Sequence, residues 1–249
     1  MASYSQIRAH VAEVQERLAA ACARSGRPRE AVTLVAVTKM RSLDEVRAAY
    51  ACGLRDLGEN RSEDLLARRR ALDDEWAVDP PRWHMIGHIQ SRKAADVVAG
   101  ADVVHSLDSF RLAERLDRLA GQAGRVLPVL VELNVSGEVT KNGLLAWTDE
   151  LLAETLAVMG RLATLRYLSV LGLMTMAPNV TDPELARSVF VRLRMVQALA
   201  RERLPFASWG ELSMGMTNDY EVAVEEGATM VRIGRAIFGE YGEERTEQI

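Results

Sequence analysis

The sequence predicts an α/β fold, a single (β/α)8 barrel of the TIM type with an extra N-terminal helix. Three observations carry that expectation. Short, β-rich apolar runs alternate with amphipathic helical stretches about eight times along the chain, the rhythm of a parallel sheet with helical crossovers. A length of 249 residues suits one such barrel. Polar residues and glycines recur where the apolar runs end, the position at which barrels gather their chemistry. A doubly wound open sheet is the alternative, because periodicity does not reveal closure.

The first helix is written by Ile7, Val11, Val14, Leu18 and Ala21, spaced for one helical face and stopped by Gly26 and Pro28. The run Val32-Thr33-Leu34-Val35-Ala36-Val37-Thr38 gives the first strand, closed by Lys39. Ser42 and Glu45 form a capping box, so a helix starts there, runs to about Ala51 and stops at Gly53. Further strands are expected near 55–57, 83–86, 103–105, 127–134, 167–173, 209–212 and 230–233. Helices are expected between them, near 62–76, 91–98, 109–120, 148–161, 183–203 and 219–226. No Pro/Gly/Ser-rich linker, low-complexity segment or short repeat divides the chain. One domain is expected over 1–249, with its motifs between about 32 and 239.

Hydrophobic residues at 48% and charged ones at 27% describe a globular chain able to build a sizeable core. The net charge of -4 argues against general nucleic-acid affinity, and Arg68-Arg69-Arg70 reads as a solvated helix face. Cys22 and Cys52 lie in helical patterns away from any His/Cys cluster, which fits a reducing compartment and neither a disulfide framework nor a metal site. The N-terminus has no signal-type apolar core and no stretch is long enough to span a membrane. A cytoplasmic location without membrane attachment is expected.

The strand ends collect an unusual set. Lys39 ends the first strand, Gly58-Glu59-Asn60-Arg61 follows the second, Gly87-His88 the third and Ser106 the fourth. Asn134-Val135-Ser136-Gly137, Met174-Thr175, Ser213-Met214-Gly215-Met216 and Gly234-Arg235 follow the rest. A lysine at the mouth of a buried strand occupies a setting where burial frees an amine to condense with an aldehyde. The loops after the seventh and eighth strands are where such barrels commonly hold phosphate, and both are glycine-bearing here. A lysine on one side and a phosphate cradle on the other suit a phosphorylated aldehyde or ketone. Pyridoxal phosphate and sugar-phosphate aldolase substrates both qualify. Arg232, the one strongly charged residue of the last strand, would either donate to an unprotonated pyridine nitrogen and weaken the ring as an electron sink or form a salt bridge to a neighbouring barrel carboxylate.

The matching strings Ala36-Val37-Thr38-Lys39, Gly58-Glu59-Asn60, 84–90 (HMIGHIQ) and His105-Ser106-Leu107-Asp108 recur in order with Asn134-Val135-Ser136-Gly137-Glu138. Gly172-Leu173-Met174-Thr175, Ser213-Met214-Gly215-Met216 and Arg232-Ile233-Gly234 complete the series. On these the chain resembles the pyridoxal 5'-phosphate homeostasis proteins (the YggS/PROSC group), which share a barrel with the N-terminal domain of alanine racemases. The resemblance implies that Lys39 forms an internal aldimine. It implies that Ser213 and the backbone of Gly234 and Arg235 cradle the phosphate, and that Arg232 faces the pyridine nitrogen. Met174, Asn60 and Asn134 are similar to residues that line the cofactor. His84, within a strand, is expected to be a hydrogen-bonded near-core histidine.

Two departures stand out. Ser91-Arg92-Lys93 replaces the family's usual Asn-Lys after Gln90, at a helix start on the rim. Racemases of this fold also take a tyrosine acid/base from an added β domain, for which the sequence shows no counterpart. The expected function is therefore pyridoxal-phosphate binding and homeostasis, holding and supplying the cofactor without robust catalysis. No catalytic residue or metal ligand is assigned. A low-activity amino-acid racemase is the alternative, and pyridoxal-phosphate-dependent apoenzymes are the expected partners of a monomer or weak homodimer.

Overall fold

A computed structural model describes residues 2–240. Eight parallel strands close into a barrel: β1 (Thr33–Val37), β2 (Asp56–Glu59), β3 (Arg82–Met85), β4 (Val103–Leu107), β5 (Leu127–Asn134), β7 (Leu168–Met174), β8 (Glu211–Ser213) and β9 (Met230–Ile233). β4 pairs with β5 and closes the eight strands into a barrel, which removes the open-sheet alternative. A two-residue strand, β6 (Leu144–Leu145), pairs with the end of β5 and was not expected from the sequence.

The helices form the outer layer: α1 (Tyr4–Arg24), α2 (Leu43–Ala51), α3 (Ser62–Leu72), α4 (Ala94–Gly100), α5 (Phe110–Gln122), α6 (Asp149–Arg161), α7 (Arg187–Arg203), α8 (Tyr220–Glu225) and α9 (Arg235–Phe238). The expected extra helix is α1, which packs against α2, α8 and α9 with Ile7, Val11, Val14, Leu18 and Ala21 buried. Ser3 and Gln6 cap it reciprocally, as Ser42 and Glu45 cap α2.

Strand alternation sets what faces where. On β5, Val129, Val131 and Leu133 join the large core shared with the helices, while Leu130 packs inward with Val103 and Met174. On β9, Val231 and Ile233 face the helices, and Arg232 between them points into the barrel. The interior is therefore part apolar and part polar. The polar part runs from the strand ends that carry the site down through the interior.

Candidate functional site

A cavity of about 560 Å³ opens at the C-terminal ends of the strands. Lys39, Asn60, Arg232, Gly234 and Arg235, all expected from the sequence, line it together. Lys39 sits just beyond β1 in a fixed turn. The Thr38 hydroxyl donates to Glu59 Oε1 at 2.6 Å, the Thr38 N–H donates to Gly58 O at 2.9 Å, and the Arg41 N–H returns to Thr38 O at 3.1 Å. Met40 takes a φ of 59°, a left-handed conformation that a residue with a Cβ adopts only under constraint. Arg68 holds the buried Glu59 from α3, its Nε 2.7 Å from Glu59 Oε1. Asn60 follows β2 and is backed by Gly87, where a Cβ would stand 2.3 Å from Asn60 O.

Arg232 is buried, donating through Nη1 to Ser213 Oγ at 2.5 Å and through Nη2 to Thr175 O at 2.9 Å. Burial lowers its pKa to about 10, against the opposing pull of Glu132 and Asp219, so it remains a cation at neutral pH. Glu132 enters the same cavity from β5. Burial and the neighbouring Asp108 carboxylate push it up to about 7, with Arg232 opposing.

The loops after β8 and β9 make the opposite wall. Gly215 has a φ of 93°, and a Cβ there would lie 2.6 Å from Ala223 Cβ, so packing and conformation both demand glycine. Asp219 Oδ1 accepts the Met216 N–H at 2.6 Å, and Thr217 Oγ1 accepts the Ala236 N–H at 3.4 Å, tying the two loops together. Thr217, Gly234 and Arg235 line the cavity here, where α9 begins and the first helical amides lack intrahelical acceptors.

Three expected contacts do not line this cavity among the described residues. Ser213 is 0% exposed, its oxygen held by Arg232 and lying 2.8 Å from His105 Nδ1. Met174 packs with Val103 and Leu130 in the barrel interior. Asn134 organises its own loop, accepting N–H groups of Ser136 and Gly137 and donating to Glu138 O at 2.8 Å. Ser91-Arg92-Lys93 is not part of the lining either, and Lys93 pairs with Glu63 at 2.6 Å. His88, from the strand-end set, and Thr217, in the loop after β8, also line the cavity, and so does Glu132, which the sequence analysis did not single out. Glu132 had a signal, as a lone carboxylate inside the otherwise apolar run Leu127-Pro128-Val129-Leu130-Val131 and Leu133. His84 is, as expected, a buried hydrogen-bonded histidine, 2.8 Å from His105 and 3.0 Å from Asp56.

The family model described as the alanine racemase N-terminal domain matches residues 9–242. A pyridoxal phosphate homeostasis protein of Aquifex aeolicus is 39% identical over 234 residues, covering 92% of this chain and 96% of the relative. PipY of Synechococcus elongatus, solved with pyridoxal phosphate bound, superposes with a TM-score of 0.77 at 36% identity, covering 91% of this chain and 100% of PipY. An alanine racemase of Streptomyces coelicolor shares the fold at a TM-score of 0.72 and 18% identity; the match covers 95% of this chain and 58% of the racemase. A closed barrel with a lysine at the mouth of its first strand, a buried arginine on its last, and relatives alike over nearly their whole length together make this chain a member of the alanine racemase N-terminal-domain family, within the group of pyridoxal phosphate homeostasis proteins.

Proposed function

We propose that the protein binds pyridoxal phosphate in this cavity, stores it reversibly and supplies it to other proteins, without robust catalysis of its own. The observation that carries the reading is the joint lining of one cavity by Lys39, Arg232 and the loops after β8 and β9. The donor set fits the cofactor. The cavity has a size usual for small-molecule sites. It offers an amine, an obligate donor cation and a helix start, with Val37, Ile86 and Met176 as apolar walls for a ring. The relative solved with pyridoxal phosphate supports the assignment.

When bound, pyridoxal phosphate supplies an aldehyde open to reversible condensation with a primary amine. Lys39 is the amine held for that purpose by the turn at Thr38 and Met40. Thr217 and the backbone at Gly234 and Arg235 would hold the phosphate, with the Arg235 side chain beside them in the cavity lining. Ser213 contributes through Arg232, which it holds from beneath. Arg232 offers only donors, so it favours an unprotonated pyridine nitrogen and withholds the electron sink that carbanion chemistry needs. Asn60 lines the wall beside Lys39, while Asn134 shapes the loop behind Glu132. The two cysteines are free thiols, consistent with a cytoplasmic carrier whose recipients are apoenzymes.

The second reading is a low-activity amino-acid racemase, and one observation favours it. Glu132 is poised near neutral pH inside the cavity, where a carboxyl can both give and take a proton. The deciding experiment is an absorption spectrum before and after borohydride, with mass analysis of the Lys39 peptide. A visible band that bleaches and a pyridoxyl mass on Lys39 is the expected result. No band after adding pyridoxal phosphate refutes the binding reading and leaves a sugar-phosphate site to be tested. Amino-acid racemisation lost in both Lys39→Ala and Glu132→Gln would move the second reading to the front.

A further inference from the structure

Beneath the cavity, a continuous line of polar side chains runs through the barrel interior. Arg232 Nη1 donates to Ser213 Oγ at 2.5 Å, and that oxygen is 2.8 Å from His105 Nδ1. His105 Nε2 is 2.8 Å from His84 Nδ1, and His84 Nε2 is 3.0 Å from Asp56 Oδ1. Asp56 begins β2, at the end of the barrel away from the cavity, and Arg82 pairs with it there at 2.7 Å. His84, His105 and Ser213 are each 0% exposed. The step from His105 to Ser213 spans β4 and β8, which are not neighbours in the sheet, so the line crosses the barrel.

The two ends of this line give it a direction. A guanidinium can only donate, so Ser213 Oγ accepts from Arg232. At the other end, burial raises the Asp56 pKa, but His84 and Arg82 outweigh it and hold the carboxyl below its ordinary range. An ionised carboxylate can only accept, so His84 Nε2 carries a hydrogen. His105 is kept neutral, because burial above all, with the Arg232 cation adding to it, lowers its pKa well below the ordinary value. The Ser213 hydroxyl is 0% exposed and already accepts from Arg232, so His105 Nδ1 is the partner left for its proton, and that nitrogen is bare. His105 then carries its hydrogen on Nε2 and donates it to a bare His84 Nδ1, which leaves His84 Nε2–H for Asp56. A charge on His84 would reverse both histidine contacts. His105 would then donate through Nδ1 into Ser213, which would already be accepting from Arg232.

We propose that His105 and His84 are positioning residues for Arg232: the relay Ser213 to His105 to His84 to Asp56 spends the serine proton downward, keeps its oxygen as an acceptor, and so fixes the guanidinium at the cavity floor. The direction of the relay stands on the unloaded protein. Its consequence for pyridoxal phosphate rests on the function proposed above. The groups that bear on it are Asp56 from β2, Arg82 from β3, Ser213 from β8, and Arg232 with its opposing carboxylate Glu132.

Long-range proton–nitrogen correlation spectra of histidine-labelled, cofactor-free protein test the direction. Both His84 and His105 are expected as the Nε2–H tautomer at neutral pH. An Nδ1–H tautomer at His105 overturns the proposal. The consequence is tested with two substitutions that each keep half of the relay. His105→Asn places a carbonyl near the Nδ1 position and can still accept from Ser213. His105→Gln reaches toward His84 and abandons Ser213. Binding of pyridoxal phosphate is expected to weaken about tenfold in His105→Gln, the worth of one net hydrogen bond, and to be largely recovered in His105→Asn. The pH midpoint of the bound cofactor's absorption band should move only in His105→Gln. Equal losses in both variants, or none in His105→Gln, overturn the positioning role. If wild-type protein binds no pyridoxal phosphate, the functional reading fails, and the tautomer spectra still decide the relay.

Discussion

Replacing Glu132 with glutamine removes one titrating group from the cavity wall and leaves the shape of the side chain almost unchanged. Glu132 is 3% exposed, and burial followed by repulsion from Asp108 pushes it from 4.5 up to about 7, despite the attraction of Arg232. At about 1.4 kcal/mol per pH unit, that gap corresponds to ~3 kcal/mol. The sign follows from proton counting. Between 4.5 and about 7 the folded chain keeps a proton that the unfolded chain has lost, so stability falls as pH rises through that window. Above it the full penalty of a buried carboxylate is present. Glutamine cannot ionise and escapes the penalty. Wild type and Glu132→Gln should therefore be about equally stable near pH 4, with the variant ahead by ~3 kcal/mol near pH 8. Urea unfolding followed by tryptophan fluorescence is suitable, since Trp83 and Trp209 are fully buried. A difference between the two proteins that stays constant across this pH range would refute the placement of Glu132 in a desolvated pocket beside another carboxylate.

Lys39→Ala is expected to abolish the borohydride-stable pyridoxyl mass on the 39 peptide while phosphate-anchored binding persists at lower affinity; equilibrium dialysis and mass spectrometry together read both. Arg68→Ala strands the fully buried Glu59 carboxyl that supports Thr38, at an expected cost of about 3–5 kcal/mol in a urea titration. Losses under about 1 kcal/mol would mean that the pair does not brace the Lys39 turn. Gly215→Ala combines a left-handed φ with a Cβ 2.6 Å from Ala223 Cβ, so a destabilisation of about 2 kcal/mol or more is expected in the same assay.

The strand rhythm was legible because it is local. The run at 230–233 emerges as β9 with the expected limits, since alternation of apolar residues around Arg232 is written in four consecutive positions. Where tertiary contacts intervene, limits move. The helix expected to reach residue 76 ends at Leu72, where Asp73, Asp74 and Glu75 place negative charge at its C-terminal end, and Trp76, still bonded through its N–H to Leu72 O at 3.0 Å, stacks on Tyr50 at 4.2 Å. The strand expected at 209–212 starts only at Glu211, after Trp209 takes a φ of 49° and donates to Leu204 O.

The site divides along the same line. Lys39, Asn60, Gly234 and Arg235 were readable because a residue just past a barrel strand reaches the mouth whatever its partners are. Ser213, Met174 and Asn134 satisfy the same positional rule, yet their side chains turn to the interior or to their own loop. Their direction depends on pleat phase, and β5 shifts register against β7 between Val129 and Leu130, which no single-strand pattern records. By itself, then, the sequence determined the order of elements, the caps, the lysine at the first strand's end and the glycine-bearing loops, all set by neighbours along the chain. Only the closed barrel decided that Glu132 of β5 faces Arg232 of β9 and that His105 of β4 meets Ser213 of β8. Those pairs join strands that are not adjacent, and a barrel interior alone brings such strands within hydrogen-bond and Coulomb range.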